Sequence, residues 1–255
     1  MFEIEIINSL DDNYIYLVHN NKKKLTAVID PGESKPVINS LRKKNLSLDQ
    51  IFNTHHHNDH VAGNEDLLKH YKCKLIAPIY DNHRINNVNT FVSEGDKIEL
   101  AGEIAEVIFT PGHTLGHVCF YIKNLNILFS GDTLFRLGCG RVFEGTYEQM
   151  KVSLEKLLNL PDNTQVYCGH EYTVSNAEFC KTLTHNYELD LKNNLSEIQE
   201  LRKKNKPTIP FKLGVDKKIN PFLKFDDNEF KTINNLGNLN STETFRYFRE
   251  LKDNH

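Results

Sequence analysis

The 255-residue sequence contains no apolar run of membrane-spanning length, so no bilayer-crossing helix is expected. Its opening, MFEIEIINSL, lacks a basic start followed by an apolar stretch, and no secretory leader is expected either. Charge of one sign is not in excess: 31 Lys and Arg stand against 34 Asp and Glu, a formal net charge of −3. That balance gives no global attraction to nucleic acid. The Lys-rich stretches 22–24 and 203–206 are flanked by Asn and read as solvated turns or helix ends. Five cysteines (Cys73, Cys119, Cys139, Cys168, Cys180) are odd in number and contain no CxxC pair. This argues against a disulfide framework or a cysteine zinc site and suits a reducing cytosol, with most thiols acting as small buried apolar groups. Internal repeats and low-complexity tracts are absent as well.

What is present is a mixed globular composition, 39% hydrophobic and 25% charged, long enough for one large domain or one domain with a small appendage. The first two-thirds reads as short β-rich runs between turn signals: EIEII, YIYLV, LTAVID closed by DPG, and LDQIFNT. A helix is expected just after His60 over VAGNEDLLKHY, then a strand at KLIAPI and two strand ends around the Gly-Asp turn of FVSEGDKIEL. IAEVIFTPGH, HVCFYI, NILFSGD and TQVYCGH read as further strands, and TYEQMKVSLEKLLNL as an amphipathic helix ending before Pro161. After His170 the pattern turns helical over 173–184, 187–204 and 241–252, with an irregular Pro-containing connection at 206–222. Asn240 and Glu243 predict a cap for the last helix. A mixed α/β domain over 1–170, two layered sheets flanked by helices, followed by a small helical domain over 171–255, is the expected architecture.

Against these absences, residues 53–60, NTHHHNDH, are conspicuous. In an extended segment residues two apart project to one side, so His55 and His57 can face one ion while His56 points away. Asp59 and His60 begin the following helix and can aim at a second point. Five metal-ligand-type side chains in six positions predict a metal, and one cluster cannot complete two sites. His113 in TPGHTLGH, Asp132 in FSGDTLF and His170 in VYCGHEY each follow an apolar strand through a Gly-containing turn, an arrangement that delivers side chains to a sheet edge. Imidazole and carboxylate donors suit zinc, iron or manganese.

This set resembles the metallo-β-lactamase superfamily, whose mark is HxHxDH followed by a distant His, a bridging Asp and a last His. The resemblance covers roughly residues 1–170 and implies an αββα sandwich with a two-metal site at one sheet edge. It implies that His55, His57 and His113 hold the first ion and that Asp59, His60 and His170 hold the second. Asp132 would bridge them. Zinc is the first expectation for the two divalent ions, with iron or manganese compatible. His56 and His117 match no ligand position and are expected to orient a ligand or pack beside one. Such a site implies hydrolysis by a metal-bridging hydroxide, with Asp59 orienting the nucleophile.

Further segments narrow the family. LDDNYIYLV, GCGRVFEGT at 138–146, GHEYTVSNAEF at 169–179 and the closing FRELKD are similar to the glyoxalase II, or hydroxyacylglutathione hydrolase, family over nearly the whole chain. The resemblance implies a cytosolic, monomeric thioester hydrolase acting on S-D-lactoylglutathione in the second step of methylglyoxal detoxification, without nucleic acid or membrane as partner. By spacing alone Arg249 and Lys252 form a solvated helix face. The resemblance instead implies that they hold the glycine end of glutathione, with Arg141, Phe143 and Tyr172 at its other contact positions. Some members carry Lys in place of Arg141 and Tyr in place of Phe143. Arg keeps the charge, whereas Phe143 loses a hydroxyl, an expected binding cost of about 1 kcal/mol. The competing expectations are a mononuclear-iron glutathione persulfide dioxygenase, a β-lactamase (whose common form has Cys at the position of Asp132), a nuclease, and a non-catalytic metal-binding module.

Overall fold

The computed structural model describes residues 1–184 and 188–255. The chain divides into two compact units, the first spanning 1–109 and 115–131, the second 110–114 and 132–255. Tyr187, where the expected 187–204 helix begins, lies outside the described residues.

The first unit runs β1 (Phe2–Ser9), β2 (Asn13–Asn20), β3 (Leu25–Ile29), α1 (Ser34–Lys44), β4 (Gln50–Phe52), α2 (Asn58–Val61) and α3 (Asn64–His70). It continues with β5 (Lys74–Pro78), β6 (Thr90–Val92), β7 (Lys97–Leu100), β8 (Glu103–Phe109), β9 (Val118–Ile122) and β10 (Ile127–Gly131). Strands β1 to β6 form one sheet in chain order, antiparallel up to β3 and parallel from β3 to β6. Strands β7 to β10 pair in succession, all antiparallel. The two-residue alternation of a strand explains both faces of the first sheet. Ile15, Leu17, Val28 and Ile51 turn toward Val37, Ile38 and Leu41 of α1 and Leu67 of α3. Tyr16 and Phe52 turn the other way, onto Phe129 of β10 (5.4 Å between ring centroids) and Phe120 of β9 (5.2 Å). Each fully buried side chain of this kind contributes roughly 1.5–3 kcal/mol.

The second unit contains β11 (Leu134–Phe135), β12 (Gly138–Cys139), α4 (Tyr147–Leu158), β13 (Gln165–Cys168), α5 (Thr173–Cys180) and α6 (Glu188–Lys203). β14 (Phe211–Lys212), α7 (Leu213–Ile219), α8 (Asn228–Ile233) and α9 (Ser241–Asp253) complete it. β11 and β12 form a tight hairpin and β13 pairs with β14. Its core is aromatic: Phe179 stacks on Phe222, Phe222 meets Phe245 edge-on, and Phe230 stacks on Phe248. Capping boxes fix the starts of α4 (Thr146 with Gln149) and α9 (Asn240 with Glu243), the second as the sequence predicts.

The structure departs from the sequence expectations in four places. The helix expected after His60 begins earlier, at Asn58, and is broken at Gly63 into α2 and α3. The strand ends about Gly95 belong to different sheets and do not pair with each other. Residues 206–222, expected to be irregular, contain β14, α7 and the start of a 3₁₀ turn at Pro221–Leu223. Helices α1 and α8 have no counterpart in the expected pattern. Four of the five cysteines are buried and no disulfide forms among the described residues, in keeping with their role as packing groups. Among the described residues no helix is long and apolar enough to cross a membrane.

Candidate metal centre

In the first unit the histidine cluster follows β4 directly. Parallel pairing on both sides of β4 buries the strand, so the chain leaving Phe52 delivers Asn53, Thr54 and His55 fully buried. His55 and His60 are 0% and 1% exposed. Their rings lie 4.3 Å apart, and His57 lies 4.6 Å from His55. His56 turns away as its position predicts: Nδ1 is 3.2 Å from Asp81 Oδ1, and Arg84 Nη1 donates to the ring at 3.1 Å. His117 stacks on His55 with 4.9 Å between centroids.

The ligand-bearing side chains are held by residues that sequence reasoning did not single out. Asp30 was legible only as the residue closing β3 at DPG. It is 3% exposed, with φ at 50°. Its Oδ1 accepts from Thr54 N at 2.7 Å, and its Oδ2 accepts from Thr54 Oγ1 at 2.7 Å. Oδ2 also lies 3.1 Å from His60 Nδ1, so the Asp30 carboxylate stands beside that edge of the ring while Nε2 faces Asp59. Thr54 Oγ1 is 3.0 Å from His55 Nδ1, which leaves Nε2 for ligation. Asn13, from the LDDNY segment, donates to Asp59 Oδ2 at 2.9 Å and to the Asp59 carbonyl at 3.3 Å. Asp59 Oδ2 is 3.4 Å from His60 Nε2. The backbone accommodates this packing at Gly131, whose φ is +47° and where a Cβ would lie 2.6 Å from Thr54 Oγ1 and 2.7 Å from His117 Nε2.

Replacing Asp30 by alanine removes the acceptor for the buried amide and hydroxyl of Thr54, and the carboxylate beside His60 Nδ1. It is expected to lower thermal stability by about 1–3 kcal/mol and metal affinity by about 10- to 100-fold. Thermal unfolding and a metal titration of the variant check the two separately.

In the second unit three of the expected ligands converge. Asp132, 5% exposed, follows Gly131 and precedes the β11–β12 hairpin. Its Oδ2 lies 3.4 Å from His113 Nε2 and 3.2 Å from His170 Nε2. His113 Nδ1 donates to the Arg141 carbonyl at 2.9 Å, which fixes its tautomer. His170 stacks against Tyr172 with 4.7 Å between centroids and 4° between planes. Metal bonds of about 2.0–2.2 Å at tetrahedral angles separate donor atoms by roughly 3.3–3.6 Å; one oxygen facing two imidazoles near that spacing fits donors that share cations. Each of the seven expected side chains belongs to a His/Asp group able to hold a metal ion.

The expected substrate contacts also lie in the second unit. Arg141 and Phe143 have exposed side chains, and the Phe143 ring is 5.2 Å from that of His113. Tyr172 is 37% exposed. Lys252 donates to both the carbonyl and hydroxyl of Ser175 at 2.9 Å. Burial holds its ammonium below the ordinary lysine range, with repulsion from Arg249 next. Arg249 is not part of a solvated face: it is 3% exposed, donates to the Cys139 carbonyl at 2.8 Å, and lies 4.9 Å over the Phe222 ring. Helical spacing placed it beside Lys252 but could not show that the face is covered.

Residues 9–170 match the metallo-β-lactamase superfamily, and residues 171–255 match the hydroxyacylglutathione hydrolase C-terminus. Curated relatives include the hydroxyacylglutathione hydrolase of Nostoc punctiforme, 42% identical over 97% of this chain and 98% of that protein. That of Pelagibacter ubique is 43% identical over 99% of each. Among solved structures, ETHE1 from Myxococcus xanthus superposes with a TM-score of 0.69 over 98% of this chain and 90% of that one, at 23% identity. TTHA1623, crystallised in a di-iron-bound form, gives 0.56 over 64% of this chain and 90% of that one, at 28% identity. The metallo-β-lactamase fold is shared with these solved structures, residues 171–255 add the hydroxyacylglutathione hydrolase C-terminus, and the chain belongs to the hydroxyacylglutathione hydrolase family of the metallo-β-lactamase superfamily.

Proposed function

We propose that the chain hydrolyses S-D-lactoylglutathione and related 2-hydroxyacylglutathiones to glutathione and the free hydroxy acid, the second step of methylglyoxal detoxification. The observation that carries this reading is a relation to named hydroxyacylglutathione hydrolases that runs the whole length of the chain, helical C-terminal residues included. His55, His57 and His113 would hold one divalent ion and Asp59, His60 and His170 a second, with Asp132 a donor that both could share. The donor set supports this assignment, since imidazole nitrogens and carboxylate oxygens bind zinc, iron or manganese. Zinc is the first choice, and the di-iron form of a related structure supports a two-ion count.

When bound, such ions lower the pKa of a coordinated water to about 7 and offset negative charge developing on a thioester oxygen. The chain's own groups supply direction. Asp59, pinned through Oδ2 by Asn13, orients the attacking water. Asp30 and Thr54 keep the imidazoles of His60 and His55 turned so that Nε2 faces the reaction. Arg141, Lys252 and Arg249 give the glutathionyl carboxylates cationic partners, and the aromatic faces of Tyr172 and Phe143 flank His170 and His113. Thioester cleavage releases a thiolate, a better leaving group than an alkoxide because thiols are the stronger acids. Residues 171–255 are the substrate-binding part. A single chain acting in the cytosol suffices.

The test is direct: purified protein, metal analysis, and loss of thioester absorbance with S-D-lactoylglutathione. Two bound ions and no turnover would sink the reading. Lys252→Ala is expected to raise KM about tenfold, the loss of one charge-assisted contact, with kcat little changed. An unchanged KM removes Lys252 from the substrate site.

A further inference from the structure

Among the described residues one carboxylate ion-pairs with both arginines expected to contact the substrate. Asp253, at the end of α9, places Oδ1 2.9 Å from Arg249 Nη2 and 3.5 Å from Arg141 Nε. The two pairings differ in kind. That with Arg249 is an i,i+4 pair whose guanidinium is buried, with Nη1 already donating to the Cys139 carbonyl. It belongs to the packing of the helix. Arg141, by contrast, has a side chain 61% exposed, and Asp253 is the one carboxylate within 4.0 Å of it among the described residues. An ion pair between a solvated arginine and a carboxylate that is itself 32% exposed is weak and easily exchanged.

We infer that Asp253 is an internal counter-ion of the glutathione site: it pairs with Arg141 in the free protein and yields that guanidinium to a substrate carboxylate. The inference rests on the function proposed above. Three cations, Arg141, Arg249 and Lys252, are close enough to act on one another, and Asp253 opposes the repulsion that the two arginines exert on Lys252. Glutathione brings two carboxylates and one ammonium. A protein carboxylate at Arg141 stands where one of those carboxylates would bind, so each binding event exchanges one anion for another. Affinity is thereby set below what the cations alone would give. The glutathionyl group is common to substrate and product, so the same exchange hastens release of glutathione after cleavage.

Asp253→Asn removes the charge while keeping an oxygen that accepts from Arg249 Nη2. The expected result is a fall of about threefold to tenfold in KM for S-D-lactoylglutathione, matched by the inhibition constant of glutathione, with kcat changed less than twofold. Asp253→Glu, which keeps the charge, is expected to leave both constants within twofold of the unsubstituted protein. In an Arg141→Ala background Asp253→Asn is expected to change neither constant, because the group for which the two anions compete is gone. An unchanged or raised KM in Asp253→Asn overturns the inference, and so does an equal fall in the Arg141→Ala background. Calorimetric titration with glutathione reads the exchange without chemistry. Tighter binding to Asp253→Asn supports the counter-ion role even if the thioester is not turned over, a failure that would count against the proposed function instead.

Discussion

Asp132→Ala is expected to lose bound metal and thioester hydrolysis together, with activity falling about a thousandfold or more. Among the described residues no other side chain in the second unit combines its features: it is 5% exposed, and one of its oxygens faces the Nε2 atoms of His113 and His170 at 3.4 and 3.2 Å. On the proposed assignment, a carboxylate so placed would serve two cations at once. Alanine removes a donor from each and the negative charge that lets two divalent ions approach one another. Metal assistance is worth several kcal/mol of transition-state stabilisation, and each 1.36 kcal/mol is tenfold in rate, which sets the size of the loss. Metal content after dialysis and steady-state rates on the same preparation check the prediction. Full occupancy with the activity gone would make Asp132 a participant in the chemistry rather than a bridge, and retained activity would remove it from the site. Asp132→Asn, which keeps the shape and one oxygen but not the charge, is expected to fall between the two proteins in metal content.

What could be read from the sequence follows the range over which each signal acts. The HxHxDH residues declare themselves because six consecutive positions carry five ligand-type side chains, and no folding requirement explains that density. Most strands were legible because β2, β3 and β4 alternate between two buried faces. The residues that hold the ligands were not legible, because their partners are remote. Asp30 grips Thr54 across 24 positions and Asn13 grips Asp59 across 46; alone, each reads as a turn residue. Helix α1 is obscured by Pro36 near its start, although Val37, Ile38 and Leu41 supply its buried face. α7 lies between Pro210 and Pro221 and is capped by tertiary contacts. Arg249 shows the limit most clearly. Its spacing to Lys252 states that both share a helix face, while the covering of that face by Cys139 and Phe222 is a property of the packed chain.

Asp216 carries the largest expected effect of pH on stability. It lies on α7, is 1% exposed, and its Oδ2 accepts from Leu137 N at 2.9 Å and from Asn220 Nδ2 at 2.8 Å. Asn220 in turn donates to the carbonyls of Phe135 and Gly138, so this pair clamps the β11–β12 hairpin, whose Cys139 carbonyl receives Arg249. Burial outweighs these hydrogen bonds and pushes the carboxyl from 3.8 up to about 7. Between those values the folded chain holds a proton that the unfolded chain has released. Stability therefore falls as pH rises from about 4 to about 7, and the loss is complete above that range. A shift of this size corresponds to ~4 kcal/mol, a large share of a typical domain's 5–15 kcal/mol. Asp216→Asn mimics the protonated acid and keeps an oxygen for both donors. Its stability is expected to match the unsubstituted protein near pH 4 and to exceed it by a few kcal/mol at pH 8. Urea midpoints of the two proteins across that range provide the measurement, and groups titrating alike in both cancel in the difference. Parallel curves would mean that Asp216 stays ionised throughout, held by Asn220, the Leu137 amide and the field of Arg136.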